Sequence, residues 1–286
     1  MANYKRVLIP MNLAPGSGLL TPAVRRLIGI QDTEITLLHV VESQPWVGRD
    51  VHASRLMSEL EVFAHRQLRG ARISRRIEWG RVADCVVRTA ESTGADVLLI
   101  SSGRPSDAGH SAVVLEVLAE VPCPVLIEWA VSAPVNRART QPVCCALEPD
   151  GSELEVLGEA VAAAARMEAP LKVISVLAPE GSHSALLWDP DVRARATAEQ
   201  LARVSELCRR WAPEAEVQVG VGIPASVVSR ALRFHGAGLL VTGGGPEAPL
   251  AAESECPVLY VSGARARRAG HPSTGRQSAM EQRRTA

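Results

Sequence analysis

The chain has 286 residues, 47% of them apolar, with 31 basic and 31 acidic side chains and a formal net charge of zero. Length and composition predict two globular domains, each with its own core, and exclude fibrous and largely disordered proteins. The body of the chain has no basic stripe, which argues against nucleic-acid binding. No signal peptide is recognised and no apolar run approaches the roughly 18 residues of a membrane span, so we expect a cytosolic protein without a membrane partner.

The first half predicts alternating strands and helices. Short apolar runs at 7–9, 35–41, 97–101 and 124–129 are typical of strands buried in a parallel sheet, and residues 71–78 predict a weaker strand. Between them we predict helices at 21–30, 52–69, 82–92 and 111–121.

Local residues mark where these helices begin and end. Thr21-Pro22 reads as an N-cap and first helical residue, and Gly94 suits a left-handed C-terminal cap. Gly80 permits a tight turn into the third helix. In the second helix the apolar residues recur at helical spacing and predict a stripe that faces the sheet, formed by Met57, Leu60, Ala64 and Leu68.

The second half repeats the first. Gly222 and Gly236 recur at the spacing of Gly80 and Gly94, and Cys256-Pro257 recurs for Cys123-Pro124. A repeat this long predicts two tandem domains rather than a solenoid. In the second copy Asp189-Pro190 is expected to open a helix with one apolar face, formed by Leu201, Val204, Cys208 and Trp211.

We therefore predict the α/β class, with two tandem doubly wound parallel-sheet domains. The first domain covers residues 1–130 and the second 142–263, joined by a linker at 131–141 that lacks apolar periodicity. Residues 264–286 form a basic tail that is expected to be disordered. The tail either contacts an anionic surface or is a solvated end.

The cysteines and histidines carry no recognisable site. The six cysteines show neither a CxxC pair nor the spacing of a disulfide scaffold, which predicts reduced, mostly buried thiols. The seven histidines form no cluster with metal-ligand spacing, so we expect no metal. His39 ends a buried strand, where a hydrogen bond in the core is a better explanation than catalysis.

Several pieces of each half, in the right order, resemble the universal stress protein family. Those of the first half are the strand at 7–10, His39-Val40-Val41, the Gly80 turn, residues 95–100 and residues 122–127. The resemblance covers about residues 4–129 and 142–262. It implies Rossmann-like domains that pair through their last strands, here residues 123–129 and 256–262, as an intrachain pseudo-dimer. An apolar edge strand is stabilised by such a partner.

Some members of this family bind ATP through a loop with the pattern G-x2-G-x9-G-[ST] and an Asp after the first strand. Glycines let the backbone approach phosphate, and the following helix presents unpaired N–H groups. This chain departs from the pattern, because Ser106 replaces the second glycine and Asn12 the Asp. Ser111-Ala112 fall where Gly-[ST] would open the helix. The resemblance thus implies a degraded ATP or AMP site in the first half, lined by Pro10, Asn12, Val40, Gly103, Ser111 and Ala112.

The second half departs further from the family pattern. Glu148 occupies the Asp position, and the segment between Gly245 and Cys256 is too short for a full last helix. The run Gly243–Gly245 lacks the spacing of a dinucleotide motif and favours a tight turn. We expect this half not to bind ATP in the family's manner.

Three functions follow from these observations. The favoured one is a non-catalytic protein that acts in the stress response by binding or by association with unidentified proteins. The alternative is an adenine-nucleotide switch with one site in the first half. A hydrolase is disfavoured, because no base–nucleophile pair with an orienting third residue can be named. Beyond the intrachain pseudo-dimer, a dimer of two chains stays open.

Overall fold

The computed structural model describes residues 4–13, 20–42, 49–102, 108–129, 141–148, 151–179, 181, 184–244, 254 and 256–261. Its strands are β1 (Arg6–Pro10), β2 (Glu34–Val41), β3 (Arg72–Trp79), β4 (Val97–Ser102), β5 (Val125–Trp129), β6 (Val143–Leu147), β7 (Leu171–Leu177), β8 (Glu216–Val221), β9 (Leu239–Thr242) and β10 (Val258–Tyr260). Its helices are α1 (Pro22–Ile28), α2 (Arg49–Gln67), α3 (Val82–Thr93), α4 (Ala108–Glu120), α5 (Glu153–Met167), α6 (Ala185–Trp188), α7 (Pro190–Trp211) and α8 (Pro224–His235). Residues 131–140 of the predicted linker and the basic tail lie outside the described residues.

The described strands form one sheet in the order β3-β2-β1-β4-β5-β10-β9-β6-β7-β8. The first five strands are parallel to one another, and so are the last five. Each group has the same internal order, which confirms the repeated doubly wound fold. The two groups meet at β5 and β10, which pair antiparallel, with Leu126 opposite Leu259. The intrachain pseudo-dimer expected from the resemblance is therefore confirmed.

Apolar side chains alternate between the two faces of the sheet, as strand geometry requires. In β1, Val7 and Ile9 face one core and Leu8 faces the other. In the described part, helices α1, α2, α5 and α7 cover the first face, and α3, α4 and α8 cover the second. Both cores contain residues of both halves, so the halves share their hydrophobic interior.

The predicted caps and turns are present. The Thr21 side chain accepts a hydrogen bond from the Val24 N–H, and the Asp189 side chain accepts from the first residues of α7. Gly94 and Gly236 end α3 and α8 in the left-handed conformation, with φ of 57° and 61°. That conformation favours glycine because it has no Cβ.

Three details of the predicted helices are wrong. Helix α4 begins at Ala108, not at residue 111. In α2, Met57 is 36% exposed, and Leu56 is the buried residue of that turn. In α7 only Val204 and Cys208 of the predicted stripe are buried, while Leu201 is 39% and Trp211 57% exposed. A long helix over a sheet edge covers less apolar surface than its periodicity predicts.

The cysteines are free and buried, as predicted. Cys144 and Cys145 are neighbours in β6 and face opposite cores. Burial raises the pKa of the Cys144 thiol to about 12, so its thiolate form is disfavoured.

A polar cluster joins the two halves beside the first core. Tyr4, just ahead of β1, donates its hydroxyl to Glu159 of α5 at 3.0 Å. The Arg166 guanidinium, also on α5, lies 4.2 Å from the centroid of the Tyr4 ring, a cation–π geometry. Burial, followed by the charge of Glu159, raises the pKa of Tyr4 well above its usual range. Tyr4 therefore links the first half to the second as a neutral donor.

Replacement of Tyr4 by Phe is expected to lower the free energy of unfolding by about 1–2 kcal/mol, because the Glu159 carboxylate loses a buried partner. Urea denaturation measures this loss. In a double-mutant cycle with Glu159→Ala we expect a coupling of roughly 1 kcal/mol. Tyr260→Phe is the matched control, since Tyr260 faces the opposite core and bonds within the second half. Its combination with Glu159→Ala should be additive; equal coupling in both cycles would contradict the proposed link.

Candidate functional site

The carboxyl ends of β1 and β2 carry three of the predicted site residues. Pro10 ends β1 and pairs with Leu38 of β2, while Val40 lies one residue before the end of β2. Both are half-buried, and Asn12, two residues beyond β1, is exposed. Ligands of open parallel sheets bind at this end of the strands. The structure thus brings Pro10, Asn12 and Val40 to one edge.

Hydrogen bonds to β2 hold the chain that follows β1. The Met11 N–H donates to the Leu38 carbonyl at 2.7 Å. His39 Nδ1 lies 2.8 Å from the carbonyl oxygen of Met11. Because Met11 is held on both its polar groups, the following Asn12 is placed at the edge by β2. The predicted hydrogen-bonding role of His39 is confirmed, and it also positions a candidate site residue.

Helix α4, which contains Ser111 and Ala112, begins three residues earlier than predicted. Since α4 begins at Ala108, Ser111 is its fourth residue and Ala112 its fifth. The N–H groups that lack an intrahelical acceptor belong to the first turn of a helix. An anion bound to these N–H groups would lie near Ala108. Gly103 and Ser106 lie outside the described residues.

A cavity of about 420 Å³ lies beside the same segment but has different walls. Met11 and Leu13 form one side, and Val62, Phe63 and Arg66 of α2 contribute to the other. None of the predicted site residues is among the described residues that line it. The cavity and the predicted nucleotide site therefore share a chain segment and not a set of side chains.

A buried acid near the same end of the sheet was missed by the sequence reasoning. Glu128, in β5, is 2% exposed, and its Oε1 accepts a hydrogen bond from the Thr21 N–H at 2.8 Å. Its Oε2 is buried, and no described residue forms a hydrogen bond with it. Burial raises the pKa of Glu128, against the opposing effects of Thr21 and Arg25. The sequence does contain a signal for Glu128. It is the one acidic residue in the apolar last strand of the first half, and the repeat has Val261 at the same place.

The corresponding end of the second half is closed by its own side chains. A Cβ at Gly244 would lie only 2.4 Å from Oε2 of Glu148, so that carboxylate is packed against the glycine backbone. A Cβ at Gly243 would lie 2.7 Å from Val156. The Tyr260 hydroxyl donates to the Gly244 carbonyl at 3.0 Å. Gly244 has a φ of 85°, as the predicted tight turn requires.

This arrangement puts a carboxylate where the resemblance predicts adenosine contacts. Glu148 follows β6 as Asn12 follows β1. The second half also lacks the histidine anchor: Ser175 stands at the place of His39, and its hydroxyl accepts from Gln200 Nε2 at 2.8 Å. The two halves thus present different chemistry at equivalent edges of the sheet.

In the part of the chain that the structure covers, no group of three or more His, Cys, Asp or Glu side chains is arranged to hold a metal ion. None of the helices in the described ranges is both long and apolar enough to span a membrane.

Known structures share this fold over most of the chain. A universal stress protein from Archaeoglobus fulgidus DSM 4304 is 15% identical, with a TM-score of 0.62, over 90% of this chain and 96% of that one. A putative universal stress protein from Pseudomonas aeruginosa UCBPP-PA14 is 18% identical, with a TM-score of 0.55, over 91% and 93%. The cytoplasmic domain of a prokaryotic cation chloride cotransporter is 14% identical, with a TM-score of 0.51, over 90% and 95%. These similarities show the fold alone.

Sequence comparison gives one family match, in the first half of the chain. No curated protein sequence matched this chain at a significant level. Residues 3–127 match the model of the Universal stress protein family. This match covers the first half of the chain, and the second half repeats the same strand order.

Proposed function

We propose that this chain is a non-catalytic universal stress-type protein that acts by binding or by protein association. The observation that carries the proposal is the difference between the two equivalent sheet edges. In the second half Glu148 and Tyr260 fill the edge, while the first half keeps the uncharged residues Pro10, Asn12 and Val40 there. Among the described residues, Pro10, Asn12 and Val40 supply neither the nucleophile nor the general base that turnover of a bound ligand requires.

A second candidate function is an adenine-nucleotide switch with one site per chain. It is favoured by the way β2 holds Met11 on both sides, which places Asn12 beside the ends of β1 and β2. Asn12 offers a side-chain oxygen and amide to a sugar hydroxyl, without the charge of the family's Asp. The first turn of α4 supplies N–H groups and a positive dipole end for phosphate. The ligand would be ATP or AMP.

Calorimetric titration of ATP and AMP with magnesium against the intact chain tests the switch. We expect one site per chain, because Glu148 closes the second edge. Ser111→Glu should weaken nucleotide binding at least about tenfold, equivalent to ~1.4 kcal/mol, because it adds a negative charge near the first turn of α4. Ala119→Glu is the matched control, since this exposed position adds the same charge at the far end of that helix.

The outcomes separate the two functions. Binding that Ser111→Glu abolishes and Ala119→Glu retains supports the switch. Equal loss in both variants would point to long-range charge and contradict the site. No heat beyond dilution at millimolar nucleotide leaves the binding-protein proposal and removes the switch.

The non-catalytic proposal has its own test. We expect the purified chain to release no phosphate or adenosine product from ATP above the rate of a buffer blank, because the described residues include no nucleophile paired with a general base at the candidate site. A coupled phosphate assay over a range of ATP concentrations measures this. Saturable turnover that co-purifies with the chain would overturn the proposal, whatever the calorimetry shows.

A further inference from the structure

Glu128 is an unusual residue for the centre of this sheet. It lies in β5, two residues after Leu126, and so faces the same core as Leu126, toward α1. Its side chain is almost completely buried, with one carboxyl oxygen bonded to the Thr21 N–H and the other without a hydrogen-bond partner among the described residues. Burying a carboxyl group that is only half satisfied costs free energy. Stability of the strand does not explain its presence.

The equivalent position in the second half shows that the fold does not require a carboxyl group here. Val261 occupies the equivalent place after β10 and is 3% exposed. It is held by the same sheet, through its N–H bond to the Thr242 carbonyl. In the second half an apolar side chain therefore fills this position of the fold. In the other half the same position carries an ionisable group.

The surroundings of Glu128 have opposing effects on the ionisation of its carboxyl group. On α1, the charge of Arg25 favours the carboxylate, but the Arg25 guanidinium is itself bonded to the Leu20 carbonyl and to Gln67. On β4 the paired residue is the neutral Ser101. Among the described residues, Arg25 is the only charged group that shifts the pKa of Glu128. Burial outweighs these favourable contacts, so the pKa of Glu128 is raised.

We propose that Glu128 is a proton-sensitive latch on the start of α1, at the seam between the two halves. When ionised, its carboxylate holds the Thr21 N–H in a charge-assisted hydrogen bond. When protonated, the group no longer buries a charge and accepts this bond more weakly. The proposal does not depend on nucleotide binding.

The latch acts on a helix that contacts the other half. Helix α1 packs against α5, and Arg26 of α1 donates to the Met167 carbonyl at the end of α5. Thr21 also caps α1 through its own hydroxyl. A weaker hydrogen bond between Glu128 and Thr21 therefore affects the contact of α1 with α5, which joins the two halves.

The pH dependence has a definite sign. A carboxyl group whose pKa is raised by folding binds its proton more tightly in the folded than in the unfolded chain. Its contribution to stability is complete below the ordinary glutamate pKa of about 4.3 and is lost as pH rises through the raised value. Acidification thus removes the buried charge and loosens the hold on Thr21 at the same time.

Amide NMR of the full chain tests the latch without any variant. Between pH 4 and 8 the Thr21 N–H resonance should shift with a single midpoint above 4.3, because it reports the charge of its acceptor. Glu128→Gln, which keeps the shape of the side chain, should abolish this shift. A flat Thr21 resonance, or a midpoint at the ordinary glutamate value, would overturn the proposal.

Thermal unfolding across the same pH range gives a second readout. Relative to Glu128→Gln and to Glu128→Val, which copies Val261, the wild-type midpoint temperature should fall as pH rises. Glu120→Gln serves as control, because it removes an exposed glutamate at the end of α4 and should retain the wild-type profile. Identical pH profiles for wild type and Glu128→Gln would contradict the latch.

Discussion

The antiparallel pairing of β5 with β10 is the contact on which the rest of the structure depends. Each half ends its sheet in a short apolar strand, which alone would expose unpaired N–H and C=O groups along an edge. Here each strand satisfies the other. Leu126 lies opposite Leu259, its own counterpart in the repeat, so an approximate two-fold axis passes through this pair.

Because this seam is closed, the two halves share one interior rather than two. Each core contains side chains of both halves. The contacts beside the first core are specific as well as apolar, since Tyr4, Glu159 and Arg166 fit only when α5 lies against the start of the first half. The sheet and its covering helices therefore form a continuous scaffold, and the carboxyl edges of the strands lie outside these contacts.

This separation explains how the two edges have diverged. The strands and their packing keep the fold, while the residues that follow β1 and β6 are free to differ. One copy places Asn12 after β1 with a histidine anchor, and the other places Glu148 against Gly244. At one equivalent pair of buried positions the first half has gained an ionisable group, as Glu128 and Val261 illustrate. Such an addition to a core is the best indication of a role other than stability.

The sequence by itself determined the repeat, the strand and helix succession, and the caps at Thr21, Gly94, Asp189 and Gly236. These features depend on local residue chemistry and on the spacing of apolar residues, and both can be read directly from the sequence. Only the tertiary structure decided the start of α4, the exposure of Trp211 and the contacts of Glu128 and Glu148. Glu128 meets Thr21 and Glu148 meets Gly244 across about a hundred residues, and no local pattern encodes such a contact. The spacing of apolar residues shows which side of a helix or strand is apolar. Which other element packs against that side depends on the position of the helix or strand in the sheet.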